Sequence, residues 1–250
     1  VSPVALTIAG SDPSGGAGVQ ADLKTFHQFG VYGEAVITLV TVQNTTRVAR
    51  VEILPEDLVL EQIAAVIEDI PPAAAKTGAL GSPEMVRVVA RAAATFDFPL
   101  VVDPVMVSKH GASLGGGAWE QLLRHAALVT PNLPEALELT GTADMRTAAE
   151  RLVRMGARAA LIKGGHRRGD ATDVLFDGAE FTEFPAPRID TRHTHGTGCT
   201  YAAAITAGLA LKLPLRDAVA RAKRYIDAAI RTNPGLGSGC GPVNHHAEAR

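Results

Sequence analysis

The residues best suited to chemistry in this 250-residue chain lie in the run His195-Gly196-Thr197-Gly198-Cys199-Thr200, which leads at once into the apolar helical stretch Tyr201 to Leu211. Two glycines at the head of a helix let successive backbone N–H groups converge on an anion, and the positive end of the helix dipole adds to the attraction. That is the make-up of a phosphate cradle. A thiol in the first turn of such a helix is expected to have its pKa lowered by the same field, making Cys199 a candidate proton acceptor beside a transferred group. A small buried cysteine opening a helix would leave the same sequence.

Other candidates are spread along the chain. Asn132 and Glu135 stand where a strand hands over to a helix, and Asp103 ends a buried strand; hard oxygen ligands at such places suit Mg²⁺ held partly through water. Asn132 as a helix N-cap with Glu135 completing a capping box is the alternative. Lys163 closes the run Ala159-Ala160-Leu161-Ile162, where an ammonium can neutralise polyphosphate charge or simply snorkel to the surface. Gln43 and Asn44 follow an almost wholly apolar strand, as amides able to pair with a ring edge or as an ordinary polar turn. Asp22, on the first helix, could touch substrate from the rim or be a solvated carboxylate.

Gly10 to Gly18 is a second glycine-rich turn, and Gly16 to Ala21 fits a G-x-G-x-x-A pattern. The dinucleotide fingerprint starts tight against its strand, whereas six residues including Pro13 separate Ala9 from Gly16 here, so a dinucleotide site is not expected. A Walker-type G-x-x-x-x-G-K-[ST] and the protein-kinase motifs do not occur. His245, His246 and Cys240 lack a partner pair at ligand spacing, so no zinc site is expected.

The elements that must position these residues alternate between short β-branched runs and helical periods, the pattern of a mainly parallel sheet covered by helices. Strands are predicted at Val4 to Ala9, Val36 to Val42, Ala73 to Thr77, Leu100 to Asp103, Leu128 to Thr130 and Ala159 to Lys163. Helices are predicted at about Gly18 to Phe29, Pro55 to Glu68, Pro83 to Thr95, Ala118 to His125, Leu133 to Leu139, Thr147 to Met155, Gly198 to Leu211 and Leu215 to Arg231. Val174 to Phe176 and Phe181 to Phe184, joined through Asp177-Gly178, predict a late antiparallel hairpin. In open α/β sheets ligands bind beyond the carboxyl ends of the strands, and the polar and glycine-rich segments all fall at those ends. Val107 to Gly117, rich in glycine, is the candidate lid.

Composition narrows the function classes. Apolar residues make up 46% and charged residues 20%, while 24 Lys and Arg face 26 Asp and Glu; without blocks of like charge there is no electrostatic footprint for nucleic acid. No apolar run reaches the roughly 18 residues needed to span a bilayer, and the sequence opens without a basic, apolar leader. Two cysteines, Cys199 and Cys240, cannot build a disulfide framework. A single domain over 1–250, in the cytoplasm, is expected.

Taken together, Gly10 to Lys24, Val42-Gln43-Asn44-Thr45, Thr130 to Glu135, Lys163-Gly164-Gly165-His166 and Thr194 to Thr200 resemble the hydroxymethylpyrimidine/phosphomethylpyrimidine kinases of thiamine biosynthesis, a branch of the ribokinase-like kinases. The resemblance covers nearly the whole chain in the right order. It implies a ribokinase-like three-layer α/β sandwich with a central mostly parallel sheet and the hairpin appended. It implies ATP and Mg²⁺, a homodimer, and two successive phosphorylations of 4-amino-5-hydroxymethyl-2-methylpyrimidine, to the monophosphate and then the diphosphate. A pyridoxal or pyridoxine kinase of the same family is the alternative. Carried over by position, Gln43 recognises the aminopyrimidine edge, Gly10 and Val105 line the ring pocket, and Gly196, Thr197 and Gly198 form the anion hole with Cys199 as base. Asn132 and Glu135, with Asp103, match the Mg²⁺ and phosphate region, and Lys163 faces the ATP phosphates. Many ribokinase-like sugar kinases carry Gly-Ala-Gly-Asp where this chain has Gly-Thr-Gly-Cys.

Overall fold

The computed structural model describes residues 2–106, 116–166 and 169–249. Strands and helices alternate as β1 (Val4–Ser11), α1 (Gly18–Gln28), β2 (Tyr32–Gln43), β3 (Val48–Ile53), α2 (Glu56–Asp69), β4 (Ala74–Thr77), α3 (Pro83–Ala93), β5 (Leu100–Val102), α4 (Gly116–Leu123) and β6 (Leu128–Val129). Then come α5 (Leu133–Thr140), α6 (Met145–Arg154), β7 (Ala160–Ile162), β8 (Asp173–Phe176), β9 (Phe181–Phe184), α7 (Thr197–Ala210) and α8 (Leu215–Arg231). Among the described residues the strands form one nine-stranded sheet in the order β3-β2-β1-β4-β5-β6-β7-β8-β9. The six strands from β2 to β7 in that order run parallel; β3 and β8 run against them, and β9, antiparallel to β8, runs with them.

The period of two along each strand explains the layering. Leu6, Ile8, Leu100, Val102, Ala160 and Ile162 face a core built with α2, α3, α4 and α6, capped by Trp119, Met85 and Leu152. Their neighbours Ala5, Val101 and Leu161 face the other way, onto α1, α7 and α8, with Phe26, Ile205 and Tyr225. β5 and β7, covered on both faces, read as unbroken apolar runs, so the first polar residue after each marks the sheet's carboxyl rim. Asp103 and Lys163 are such residues.

Two elements differ from the sequence reading. β2 begins at Tyr32 rather than Val36, because its parallel pairing with β1 starts at Val4 opposite Tyr32 and carries Gly33 and Glu34 into the strand. β3 was not expected at all. It is an edge strand whose residues are mostly exposed, with Arg50 and Glu52 alternating with Val51 and Ile53, and an exposed edge lacks the burial pattern by which strands are found. The lid candidate falls largely outside the described residues; only Gly116 and Gly117 of it are placed, in the first turn of α4.

Candidate active site

The rim gathers around the head of α7. Gly196 is the N-cap of that helix with φ of 77°, and a Cβ there would stand 1.7 Å from the Gly16 carbonyl oxygen. Only glycine fits where the two glycine-rich loops meet. Gly198 faces side chains rather than backbone: a Cβ would come within 3.3 Å of Lys163 Nζ, a tight contact, and 3.7 Å of Asp103 Oδ2. No side chain caps α7, while Thr197 Oγ1 turns back to donate to the Thr194 carbonyl at 2.7 Å. The Thr197 N–H also turns back to the Thr194 carbonyl, at 3.2 Å, so it is the next amides of α7, from Gly198 on, that face an anion beside a lysine.

Lys163 is no snorkelling lysine. Its ammonium donates to Asp103 Oδ1 at 2.8 Å, with side chains 12% and 2% exposed. Burial works against the charge on Lys163, but the Asp103 and Glu135 carboxyls outweigh it and raise its pKa. Thr130 Oγ1 donates to the same Asp103 oxygen at 3.1 Å. Asn132 and Glu135 form the capping box: Asn132 Oδ1 accepts the Glu135 N–H at 3.0 Å and Glu135 Oε2 accepts the Asn132 N–H at 2.8 Å. Cap and site are compatible, since both residues also line a cavity of about 580 Å³ with Asp103, Lys163, Val105 and Gly196 to Cys199. Burial pushes the Glu135 carboxyl up to about 7, Lys163 opposing and Asp103 adding to the rise. A smaller recess of about 150 Å³, lined by Asp173, Tyr201, Lys223 and Ile226, shares Asn132, Lys163 and Gly198 with it.

Among the described residues no three or more His, Cys, Asp or Glu side chains group as a metal cage. Two carboxyl groups, Asp103 and Glu135, face one cavity and fit a hard cation bound mainly through water and phosphate oxygens.

Cys199 corrects an expectation. Burial pushes its thiol up to about 11, with the Asp22 and Asp103 carboxyls adding to the rise and Lys76 and the Gly18 N–H opposing it. Desolvation in the packed first turn outweighs the field of the helix end. Asp22 is corrected as well. It is no solvated carboxylate but a fully buried partner of Lys76 at 2.8 Å, with Thr7 Oγ1 donating to it at 2.6 Å.

Of the three expected ring-binding residues, the large cavity brings only one to the anion loop. Val105 lines the large cavity. Gly10 is buried, with room for a Cβ denied by Leu39 at 2.5 Å. Gln43 ends β2 and directs its amide toward the Asp12 carboxylate. Asn44 is a turn residue: its Oδ1 accepts from Thr46 N, Thr46 Oγ1 and Arg47 N at 2.9, 2.8 and 3.1 Å. His245 packs inward, its Nε2 3.1 Å from Thr200 Oγ1, and burial pushes it down to about 4. Sequence reasoning assigned nothing to Asp12, His195 or Lys76. The available signals were an acid inside a glycine loop, a histidine beside the anion loop and a lysine in an otherwise apolar strand.

The family model described as phosphomethylpyrimidine kinase matches residues 12–244. The chain is 53% identical to the thiamine biosynthesis bifunctional protein ThiED of Geobacter sulfurreducens, over 96% of this chain and 51% of that protein, so it spans about half the length of that relative. It is 49% identical to the hydroxymethylpyrimidine/phosphomethylpyrimidine kinase of Streptomyces coelicolor, over 97% of this chain and 94% of that one. Among solved structures, the pyridoxal kinase of Staphylococcus aureus in complex with AMP-PCP and pyridoxal is similar, with a TM-score of 0.92 at 36% identity over 99% of this chain and 94% of that one.

Proposed function

Since the chain belongs to the phosphomethylpyrimidine kinase family, we propose a division of labour among its residues for the reaction that family carries out. The enzyme is an ATP-dependent phosphotransferase of the ribokinase-like fold, acting on 4-amino-5-hydroxymethyl-2-methylpyrimidine and then on its monophosphate. The observation that carries the assignment of roles is the cavity of about 580 Å³ in which the head of α7, Gly198 included, meets Lys163 and Asp103.

Phosphoryl transfer asks little covalent work of a protein; it needs positioning and charge neutralisation. The hydroxymethyl oxygen forms a bond to the γ-phosphorus as the bridging bond to ADP breaks, and the alcohol proton passes to water or to the Cys199 thiolate. The loop Gly196-Thr197-Gly198 cradles the equatorial oxygens, chiefly through the Gly198 N–H because that of Thr197 is bonded to the Thr194 carbonyl, and the Lys163 ammonium offsets their growing charge. Gln43 holds the pyrimidine edge, with Gly10 and Val105 against the ring. Asn132 places Glu135 through the capping box, and Glu135 and Asp103 would hold Mg²⁺ by way of water. When bound, Mg²⁺ supplies charge neutralisation at the β- and γ-phosphates. Cys199, in contact range of the same space, accepts the alcohol proton only in its minor thiolate form. The second acceptor is a phosphate already ionised near neutral pH and needs no base.

We read the chain as one kinase domain over 1–250, since one sheet runs from its first strand to its hairpin. The exposed apolar side chains Val40, Val42, Val51 and Ile53 on β2 and β3 support a homodimer joined there, which light scattering tests. Free Cys199 and Cys240 support a reducing, cytoplasmic setting. Likeness to the S. aureus pyridoxal kinase supports a second activity on pyridoxal. Parallel coupled assays of ADP release on the two alcohols test the reading: the pyrimidine is expected to show the higher kcat/KM.

A further inference from the structure

Asp12 has no part in the roles above, yet its buried carboxylate joins three segments of the site. Oδ1 accepts the Ser14 N–H at 2.8 Å. Oδ2 accepts the Ser14 hydroxyl and the Ala17 N–H, each at 2.9 Å, and lies 2.8 Å from His195 Nε2. Gln43 directs its side chain at the same carboxylate. The β1–α1 loop, the end of β2 and the loop entering α7 thus converge on one anionic group. His195 immediately precedes Gly196 and is held from behind, its N–H donating to the Gly241 carbonyl at 3.0 Å. Burial favours the neutral acid, but the hydrogen bonds from His195, Ser14 and Gln43 outweigh it and hold Asp12 well below the usual carboxylate range.

An ionised carboxylate accepts and cannot donate. Opposite it, Gln43 has one orientation: amide nitrogen toward Asp12, Oε1 turned away. Its outward edge then offers Oε1 as acceptor and the second N–H as donor. A ring with an exocyclic amino group beside a ring nitrogen matches that edge, whereas the corresponding oxo ring, with N–H and C=O exchanged, opposes it. We infer that Asp12 is a positioning residue that fixes the Gln43 amide for a 4-aminopyrimidine and, through His195, fixes the anion-binding loop at the head of α7. One carboxylate thereby ties the choice of acceptor to the binding of phosphate. The inference rests on the reading of Gln43 as the ring-recognising amide.

The test compares kcat and KM for the 4-amino alcohol and its 4-oxo analogue with Mg-ATP. Gln43→Leu is expected to raise KM for the aminopyrimidine about 5- to 150-fold; an unchanged KM overturns the recognition reading and this inference with it. Asp12→Asn, whose amide both accepts and donates, releases Gln43 to either orientation and is expected to narrow the 4-amino to 4-oxo preference at least tenfold. A purely structural Asp12 would lower both substrates equally; an unaltered preference alongside an active Gln43→Leu effect overturns the inference alone. His195→Ala is expected to lower kcat at least tenfold with the preference intact, and His195→Gln, whose amide nitrogen can reach the carboxylate, to restore most of it. Should a thermal melt show Asp12→Asn unfolded, the His195 pair decides: undiminished kcat in His195→Ala, or no recovery in His195→Gln, overturns the inference.

Discussion

Lys163 Nζ meets Asp103 Oδ1 at 2.8 Å across 60 residues of sequence. Each residue stands one position past its strand, β7 and β5, with β6 between them. Ending two apolar strands on opposite charges places a fixed dipole under the space above Gly198. Replacing Lys163 by Met leaves Asp103 buried with only the Thr130 hydroxyl, and breaking such a pair costs about 3–5 kcal/mol. Lys163→Met is therefore expected to lose that much in urea unfolding and at least about 10²-fold in kcat. Unchanged turnover in a folded variant would remove Lys163 from the transfer step.

Gly198→Val puts a branched side chain into the volume assigned to the transferred phosphoryl group, within 3.3 Å of Lys163 Nζ at its first atom. Turnover is expected to fall by about 10²-fold or more, while calorimetric binding of the pyrimidine alone stays within a few-fold of the parent. Full turnover would place transfer elsewhere.

Much of this arrangement was legible in the sequence, for a physical reason. β5 and β7, buried on both faces, are apolar throughout, so Asp103 and Lys163 advertise themselves as the first polar groups after such runs, and glycines mark the two loops that touch. What could not be read were contacts between distant segments. Asp22 and Lys76, 54 residues apart, look like a helix carboxylate and a stray lysine until the fold brings them together in the interior. The Cys199 thiol was misjudged because the dipole of its helix is visible in sequence and its desolvation is not. β3 escaped because exposure at a sheet edge erases the pattern.

Glu135 gives a signed pH dependence. Its folded-state pKa of about 7 lies above the model-compound value of 4.5, so between those values the unfolded chain has released a proton that the folded protein keeps. Stability from this group is complete below the usual carboxylate range and is lost as pH rises through about 7, by on the order of 1–3 kcal/mol. Glu135→Gln keeps the capping bond and is expected to flatten that part of the urea-stability profile. The same slope in the variant would assign it to another group.

Cys199 carries its proton at neutral pH. General-base help is worth about 10²–10⁴, but a thiol pushed up to about 11 is thiolate only about 10⁻³ of the time at pH 8. Cys199→Ser is thus expected to slow phosphorylation of the alcohol no more than about tenfold at pH 8, with the gap widening toward pH 10. Phosphorylation of the monophosphate should show no such widening. Equal losses in both steps together with a lower melting temperature would reduce Cys199 to a structural opener of α7.

The central claim is that one site phosphorylates the aminopyrimidine twice. It is tested most directly by incubating the protein with excess Mg-ATP and 4-amino-5-hydroxymethyl-2-methylpyrimidine and following products by mass over time. The account predicts a monophosphate that rises and is consumed as the diphosphate appears, with both steps lost in Gly198→Val. Pyridoxal phosphate formed in a parallel reaction while the pyrimidine stays unmodified would contradict it.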